Sequence, residues 1–283
     1  MGEATLDAVE TAPSVRPRRH RPTAWRDVWS FLRPLVLATI SLGLFVLAWD
    51  LVTTYRVVAL VRFTNVPTPG AVLARASVAF ADPEFRTNII ISCRRIGIGF
   101  LLATALGVPA GMLMGRWRLI RQCLMPIVEA LRPIPAIAWV PMAIMLWPTN
   151  EESIVFITFL GSFFPIVLNT LLGMGSVDPV LVRAARCLGA RETSVFREVY
   201  LPAILPQVFT GLAVGMGVAW VSLIAAEMIA GEYGIGYFTW EAYSLVQYAD
   251  IVLGMICIGL LGFASSTLIR LAGRLAMPWD RAR

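Results

Sequence analysis

The segment DPVLVRAARCLGARETSVFREVYLPAILP, residues 178–206, is the longest charged stretch between two strongly apolar regions. Asp178 followed by Pro179 is typical of a helix start, because the carboxylate can cap the first amides and proline fits the first turn. Apolar side chains then recur at helical spacing, at Leu181, Ala184, Ala185 and Leu188. Gly189 can end this helix in a left-handed turn, and a second amphipathic run extends to Pro202. The pattern predicts a helix, a turn and a second short helix, a shape that suits docking into a groove on another protein.

The composition of the chain indicates an integral membrane protein. Of its 283 residues 58% are hydrophobic and 15% are charged, and the mean hydropathy is +0.73. Soluble domains rarely combine such values with several uninterrupted apolar runs. All 24 basic residues are arginine, and they punctuate the apolar runs. Membrane topology therefore explains the formal net charge of +6 better than nucleic-acid binding does.

The sequence contains no pattern typical of catalysis or metal binding. Its four cysteines are far apart without a CxxC pair, and its single histidine, His20, lies in an arginine-rich tail. Neither a P-loop nor a nucleophile elbow is present. We therefore expect a non-catalytic chain with no metal site and no cofactor of its own, so that any ATP hydrolysis takes place on a separate chain.

Six apolar segments are long enough to span a membrane. They are Leu35–Leu51, Ile89–Met114, Leu124–Trp147, Ile154–Met174, Ile204–Ile229 and Ile251–Leu271. Prolines interrupt the third segment, and the glycine-rich stretch Gly231–Tyr248 is expected to be re-entrant or interfacial. The fold class predicted is an all-α polytopic membrane protein with six transmembrane helices. Because arginines concentrate on the side of the two termini and of residues 178–202, the positive-inside rule places that side in the cytoplasm.

These segments divide the chain into four parts. Residues 1–33 are predicted to be a cytoplasmic arginine-rich tail, and residues 34–86 the first transmembrane helix with an outer interfacial segment. Residues 87–276 form a core domain of five transmembrane helices, which includes the loop at 178–202. Residues 277–283 complete the chain as a cytoplasmic C-terminal tail.

The loop at 178–202 resembles the cytoplasmic coupling loop of permease subunits of ATP-driven (ABC) importers. That family's pattern is Glu-Ala-Ala, three residues, Gly, nine residues, Ile, one residue and Leu-Pro. The matching residues are Ala184, Ala185, Gly189, Val199, Leu201 and Pro202, all at the same spacing. Arg183 stands where the family most often has glutamate. The alternative interpretation of this loop is an amphipathic hairpin lying on the lipid surface.

Four further stretches resemble the branch of the family that imports nitrate, sulfonate, taurine and bicarbonate. They are SCRRIGIGF (92–100), RPIPAIAWVPMAIMLW (132–147), FFPIVLNTLLG (163–173) and AEMIAGEYGIGY (226–237). The chain departs from the branch at residues 148–150, where a Phe-Gly pair is usual. The resemblance implies a type I importer permease fold in the bacterial cytoplasmic (inner) membrane.

The same resemblance implies the partners and the function. The partners would be two cytoplasmic ATPase subunits that bind ATP and Mg, a second permease copy or a sister permease, and an external substrate-binding protein. The chain would pass a small anion from that binding protein to the cytoplasm. A small neutral or aromatic or pyrimidine compound is an alternative substrate, and a channel without an ATPase is an alternative function.

The resemblance, together with the polar residues within the spans, defines two sets of candidate site residues. The ATPase-coupling set is Arg183, Ala184, Ala185, Arg186, Leu188, Gly189, Ala190 and Glu192. The translocation-pathway set is Arg94, Arg95, Trp139, Met142, Asn169, Ser222 and Glu227. Polar and charged side chains at membrane depth are costly, so each is a candidate for the pathway or for a partner contact.

Each charged candidate has a structural alternative. Arg94 and Arg95 either supply a positive field for anion entry, or extend to the outer head groups or form a salt bridge. Glu227 would repel an anion at close range, so we expect it to be a gate or an interhelical contact. Glu129 and Arg132 are three positions apart, and they are expected to pair on one helix face.

The neutral candidates leave the same choice open. Trp139 and Met142 recur at helical spacing, which is typical of a core stripe as well as of ligand contacts. Asn169 and Ser222 could hydrogen-bond an oxyanion without trapping it. Asn169 could equally form a bridge between two helices.

Overall fold

The computed structural model describes residues 24–55 and 65–279. Every regular element in these two ranges is helical, which confirms the predicted all-α fold class. The chain divides into two units, residues 1–55 and residues 56–283. The arginine-rich tail up to residue 23 and the last four residues of the C-terminal tail lie outside the described residues.

The first unit contains one long helix, α1 (Ala24–Thr54). Its segment Val36–Thr54 has 19 residues and a mean hydropathy of 2.0. Such a segment is about 28 Å long, close to the thickness of the hydrocarbon core of a bilayer. The helix begins at Ala24, so residues 24–33 of the expected tail are helical and continuous with the first span.

The second unit contains ten described helices. They are α2 (Pro69–Ala79), α3 (Pro83–Arg116), α4 (Arg118–Leu131), α5 (Val140–Leu146), α6 (Asn150–Gly175), α7 (Pro179–Cys187), α8 (Glu192–Val195), α9 (Leu201–Ala230), α10 (Ile235–Ser244) and α11 (Tyr248–Ala276). Several of these helices start at locally encoded caps. Thr68, Asp82, Thr149 and Asp178 each accept a hydrogen bond from a first-turn amide, through side-chain oxygen atoms.

The described helices that are long and apolar enough to cross a membrane number five, or six if one bent pair counts as a span. The bent pair is Arg118–Leu131 with Ala136–Leu146, and its two parts meet at 90°. Pro133 and Pro135 lie in the break between them. Proline lacks the amide that a continuous helix would need, which explains why the third predicted span is bent.

The second amphipathic run after the glycine turn differs from the expected separate short helix. α8 continues through a π-helical turn, Phe196–Tyr200, into α9, so that Glu192–Ala230 is one helical segment of 39 residues. Pro202 lies in the first turn of α9 and does not end the helix. Widened π turns are known to accommodate local breaks of the regular hydrogen-bond ladder, and this one comes just before the proline.

α3, α6 and α9 pack at the centre of the second unit. Glycines allow their backbones to approach closely, as small residues do between transmembrane helices. A Cβ atom at Gly161 of α6 would lie 2.1 Å from Ser222 Oγ of α9, and one at Gly211 of α9 would lie 2.7 Å from Asn169 Cβ of α6. The α6–α9 contact therefore depends on glycines from both helices.

The second unit has two ends that carry different features. The loop end holds the C-terminus of α3, the helices α7 and α8, and the start of α9. The far end holds α2, the start of α3 and of α6, the end of α9, and α10. Arg75 Nε of α2 donates to Asp250 Oδ1 of α11 at 2.5 Å. This hydrogen bond raises the pKa of Arg75 above its ordinary value, so the guanidinium group stays charged, and the contact fastens α2 to α11.

Candidate functional site

The coupling loop, residues 178–202, has the helix and turn that its sequence predicts. Asp178 accepts a hydrogen bond from Val180 N at 2.7 Å, which caps the start of α7. Gly189 has a φ of +82°, the left-handed region that glycine adopts without a steric penalty. Its amide donates to Arg186 O at 3.0 Å, and Ala190 N donates to Ala185 O at 3.1 Å. Both predictions, the cap and the glycine turn, are confirmed.

Most of the coupling loop is open to solvent. Val182 of α7 and Val195 of α8 are buried and anchor the loop to the bundle. The residues of the predicted coupling set that are exposed are Arg183, Ala184, Arg186, Leu188, Gly189 and Glu192, and Ala185 and Ala190 are half-buried. Leu188 is 88% exposed. Val180 and Leu181 of α7 are exposed as well. A patch of exposed apolar side chains, rather than a single one, is typical of a docking surface.

An ion-pair network connects the coupling loop to α3. Glu192 Oε1 accepts from Arg186 Nε at 2.8 Å, and Glu192 Oε2 accepts from Arg116 Nη2 at 2.6 Å. Arg186 and Glu192 are exposed and Arg116 is half-buried, so the network contributes little to stability. The network links the loop to the bundle, because the carboxylate of Glu192 joins α7, α8 and the last turn of α3. Arg116 was not among the predicted coupling residues.

At the far end, the N-terminus of α10 is capped by side chains from two other helices. Gly234 N donates to Asn88 Oδ1 at 2.8 Å, and Ile235 N donates to Ser92 Oγ at 2.9 Å. Gly236 N donates to Glu227 Oε2 at 2.9 Å. The first amides of a helix have no partner within it, so these three acceptors complete the start of α10. The carboxylate of Glu227 also matches the positive end of the helix dipole.

Arg95 closes this far-end cluster, which consists of Asn88, Ser92, Arg95, Glu151 and Glu227. Its Nη1 atom donates to Glu227 Oε1 at 2.9 Å and to the carbonyl of Tyr233 at 2.6 Å, and its Nε and Nη2 atoms donate to the Glu151 carboxylate. Arg95 is 3% exposed and Glu227 is fully buried. The cluster therefore joins α3, α6, α9 and the start of α10, with Arg95 and Glu227 buried and Glu151 at its exposed edge.

The sequence interpretation named Arg95 and Glu227 separately as pathway candidates, and the structure brings them together. Of the alternatives given for each residue, their contact therefore supports a salt bridge for Arg95 and an interhelical contact for Glu227. Asn88, Ser92 and Glu151 were not predicted. A signal for Asn88 and Ser92 exists in the sequence, because Asn88, Ser92 and Arg95 follow the i, i+4, i+7 spacing of one helix face. Glu151 has no such local signal.

A cavity of about 620 Å³ lies between α6, α9 and the break in the third span. Its lining includes the break residues 132–137, Gly161 and Pro165 of α6, and Ser222 of α9. Irregular backbone at membrane depth is tolerated only where it is buried in protein or lines a water-filled space. This cavity, called the membrane cavity below, provides a space beside the break in the third span. Arg132 is the only charged side chain among its lining residues.

The remaining neutral pathway candidates do not line the membrane cavity. Asn169 Nδ2 donates to Pro165 O of its own helix at 2.8 Å, and its Cβ faces Gly211 of α9. Trp139 packs against the buried core, while Met142 is exposed. Trp139 Nε1 is buried without a hydrogen-bond partner among the residues that the structure describes. Of the neutral candidates, only Ser222 is placed at the cavity.

Arg94 is exposed and, unlike its neighbour Arg95, forms none of the hydrogen bonds of the far-end cluster. Both arginines line a second cavity, of about 520 Å³, together with Glu151, Glu152 and apolar residues of α3 and α6. Arg132 pairs with Glu129 through an Nε to Oε2 distance of 3.3 Å, on the helix face that the spacing predicts. The predicted pathway residues are thus divided between a buried cluster, two cavities and the helix packing.

The described chain combines five or six candidate membrane helices, a cavity beside the broken span and an exposed loop at residues 178–202. Residues 107–279 match the family of binding-protein-dependent transport system inner membrane components. The match spans more than half of the chain, and the chain belongs to this family of multi-pass ABC importer permeases.

Relatives with assigned names agree with this family. A chain of Methanocaldococcus jannaschii named as an ABC transporter permease is 38% identical over 239 residues, covering 81% of this chain and 86% of that one. The taurine transport system permease protein TauC of Escherichia coli is 31% identical, covering 92% and 94%. The nitrate import permease protein NrtB of Synechococcus elongatus is 29% identical, covering 88% and 92%. The resemblance noted from the sequence motifs is confirmed.

A solved structure supports the fold independently. The crystal structure of an amino acid ABC transporter with histidines contains a chain that superposes with a TM-score of 0.58. The superposition covers 70% of this chain and 97% of that chain, at 17% sequence identity. At this level of identity the likeness concerns the fold alone, and it agrees with the importer permease fold predicted from the sequence.

Proposed function

We propose that this chain passes a small anion of the sulfonate, taurine, nitrate or bicarbonate type across the bacterial cytoplasmic membrane, driven by ATP hydrolysis on separate subunits. The observation that carries the ATP-driven part is the coupling loop. A rigid helix, anchored by Val182 and displaying Leu188, extends from the bundle and is joined to α3 through Glu192. Such a loop can receive a movement from a docked protein and pass it to the membrane helices.

The partners follow from this arrangement. Two cytoplasmic ATPase subunits bind ATP and Mg, and each docks on the coupling loop of one permease. An external substrate-binding protein delivers the anion at the far end, and both termini of the permease are cytoplasmic. The permease itself performs no chemistry. A second permease copy or a sister permease completes the pathway, because in one chain the membrane cavity is bordered only by α6, α9 and the α4–α5 break.

The anionic substrate is supported by the charge of the membrane cavity and by the relatives. Arg132, which also pairs with Glu129, is the one charged residue of its lining, and Ser222 offers a hydroxyl that can hydrogen-bond an oxyanion. Two relatives bear the names of nitrate and taurine permeases. The remaining walls are largely apolar and include Phe164. Such walls also suit a small neutral, aromatic or pyrimidine compound, which is the second candidate substrate class.

Reconstitution tests the proposal directly. The permease, its ATPase subunits and its binding protein are placed in proteoliposomes, and uptake of labelled taurine, nitrate, bicarbonate and uracil is compared with and without ATP. We expect ATP-dependent uptake of one of the anions. Uptake of uracil alone would support the second substrate class. Solute flux that persists without ATP and without the ATPase would contradict the importer proposal and indicate a channel.

A further inference from the structure

The outward face of α7 is apolar except for one arginine. Val182 is buried and defines the side of α7 that packs on the bundle. The opposite side displays Val180, Arg183, Ala184 and Leu188, all of them exposed. These positions lie within about half a helical turn of one another at 100° per residue. A protein that docks on α7 therefore meets an apolar ridge with a single guanidinium group.

None of the three acidic residues of the coupling loop forms an ion pair with Arg183 in the structure. Asp178 caps the first turn of α7 through its hydrogen bond from Val180 N. Glu192 accepts from both Arg186 and Arg116. The remaining acid, Glu198, lies in the π-helical turn that leads into α9. Within the described ranges 24–55 and 65–279, Arg183 forms no ion pair.

Docking would remove water from Arg183, and this has a predictable cost. A guanidinium group stays protonated in proteins, so it cannot escape burial by losing its charge. Leaving a buried charge without a partner costs several kcal/mol. A carboxylate on the docking protein removes that cost and matches the planar fork of the guanidinium with two parallel hydrogen bonds. A loop with glutamate at this position would need the opposite charge on its partner.

We propose that α7 docks into an apolar groove of the ATPase subunit in which an aspartate or glutamate side chain faces Arg183. This inference rests on the proposed ATP-driven function and specifies the chemistry of the partner's surface. The apolar ridge supplies contact area, and the ion pair supplies selectivity, because an ATPase with a cationic side chain at that point would be repelled. Arg183 thus distinguishes the cognate ATPase from those that accept a glutamate at this position.

The lack of lysine in the chain allows a site-specific test. An Arg183→Lys variant carries the only side-chain amine of the permease. A carbodiimide joins that amine to a carboxylate in direct contact with it, with loss of water and no spacer. In the assembled complex we expect a permease–ATPase cross-link, and peptide mass spectrometry should place it between position 183 and one aspartate or glutamate of the ATPase.

Arg197→Lys provides the matched control. Arg197 is also an exposed arginine of the coupling loop, but it lines a cavity beside Met112 and Trp117 instead of the outward face of α7. We expect no cross-link from position 197 to the ATPase. Equal cross-linking from both positions would overturn the proposal, and so would the absence of any carboxylate cross-link from position 183.

Charge reversal supplies a second measurement. Arg183→Glu should lower retention of the ATPase on the purified permease at least tenfold, and Arg197→Glu should leave it within twofold of the parent. Replacing the cross-linked acid of the ATPase with arginine should restore retention of the Arg183→Glu permease. Unchanged retention in Arg183→Glu would overturn the proposal. If the same variant also bound phosphatidylglycerol vesicles more weakly, Arg183 would be assigned to the lipid surface instead.

The failure of this inference is distinguishable from failure of the proposed function. If the parent permease neither retains an ATPase nor shows ATP-dependent uptake, the importer function itself fails. If the parent complex assembles and transports while the Arg183 variants behave like the parent, only the ion-pair inference is overturned.

Discussion

At the scale of single residues, the far-end cluster concentrates charge inside an apolar bundle. Arg95 neutralises Glu227, which also caps α10, and both side chains are buried. Removing one partner of a buried pair leaves the other charge without compensation, which typically costs about 3–5 kcal/mol. Arg95 therefore acts mainly by holding three spans and the start of α10 together.

We expect Arg95→Gln to lower the thermal midpoint and the yield of the purified complex, because Glu227 loses its counter-charge. Arg94→Gln is the control, since Arg94 is exposed and forms no described ion pair. Thermal unfolding in detergent, followed by tryptophan fluorescence, measures the difference. A complex of normal stability whose uptake falls only at low ionic strength would instead support the anion-steering role.

A second prediction at this scale concerns Gly189. Its φ of +82° strains a residue with a side chain, although a Cβ atom there would meet nothing within 4 Å. We expect Gly189→Val to abolish substrate-stimulated ATP turnover while the protein remains in the membrane. Gly189→Asn should keep most of the substrate-stimulated ATP turnover, because asparagine tolerates the left-handed region. Equal turnover in the parent and the valine variant would show that the turn is not needed for coupling.

At the scale of elements, the α6–α9 contact sets the geometry of the membrane cavity. A Cβ atom at Gly211 would lie 2.7 Å from Asn169 Cβ and 3.3 Å from Pro165 O, and neither atom can move by side-chain rotation. Added atoms in a well-packed interface typically cost about 1–3 kcal/mol. The two helices must therefore separate to accept any side chain at Gly211.

The alanine variants of two glycines of α9 test this packing. We expect Gly211→Ala to lower the thermal midpoint of the purified complex. A Cβ atom at Gly217 meets nothing within 4 Å, so Gly217→Ala should leave the midpoint unchanged or raise it, since alanine favours a helix by up to about 1 kcal/mol. The same midpoint in both variants would mean that the contact is looser than the structure shows.

At the scale of the whole molecule, the proposed second permease predicts the composition of the complex. α6, α9 and the α4–α5 break line the membrane cavity in one chain. We predict that the purified complex contains two permeases of 31.0 kDa and two ATPase domains. Native mass spectrometry of the detergent-extracted complex measures this ratio. A single permease per complex would contradict the proposed pathway.

Much of the architecture could be predicted because it depends on local patterns. The apolar segments identify the spans, since a bilayer accepts only long apolar helices. Asp178 and Gly189 mark the start and end of α7, because capping and the left-handed turn involve neighbouring residues only. The prolines at 133 and 135 indicate a break in the third span. These features need no knowledge of the distant parts of the chain.

The candidate site was predicted less completely, because its contacts join residues that are far apart in the chain. Arg95 and Glu227 are separated by 132 positions, and Glu151 comes from a third helix, so sequence reasoning treated the two named residues as independent pathway candidates. Arg116 could not be assigned to the coupling loop from the sequence for the same reason, because its partner Glu192 is also far away in the chain. The difference in burial between Arg94 and Arg95 also depends on tertiary packing, since adjacent positions on a helix point 100° apart and meet different neighbours.

The sequence by itself determined the membrane class, the coupling loop and the family, because periodicity, caps and the spacing of short motifs are properties of neighbouring residues. Only the tertiary structure decided which polar residues meet. Helix packing brought Arg95, Glu151 and Glu227 into one cluster, in which Arg95 and Glu227 are buried, and left Ser222 at the membrane cavity. Within the described residues it also left Arg183 without an ion pair on the outward face of α7, because Asp178 and Glu192 are bound to other partners and Glu198 lies in the π-helical turn.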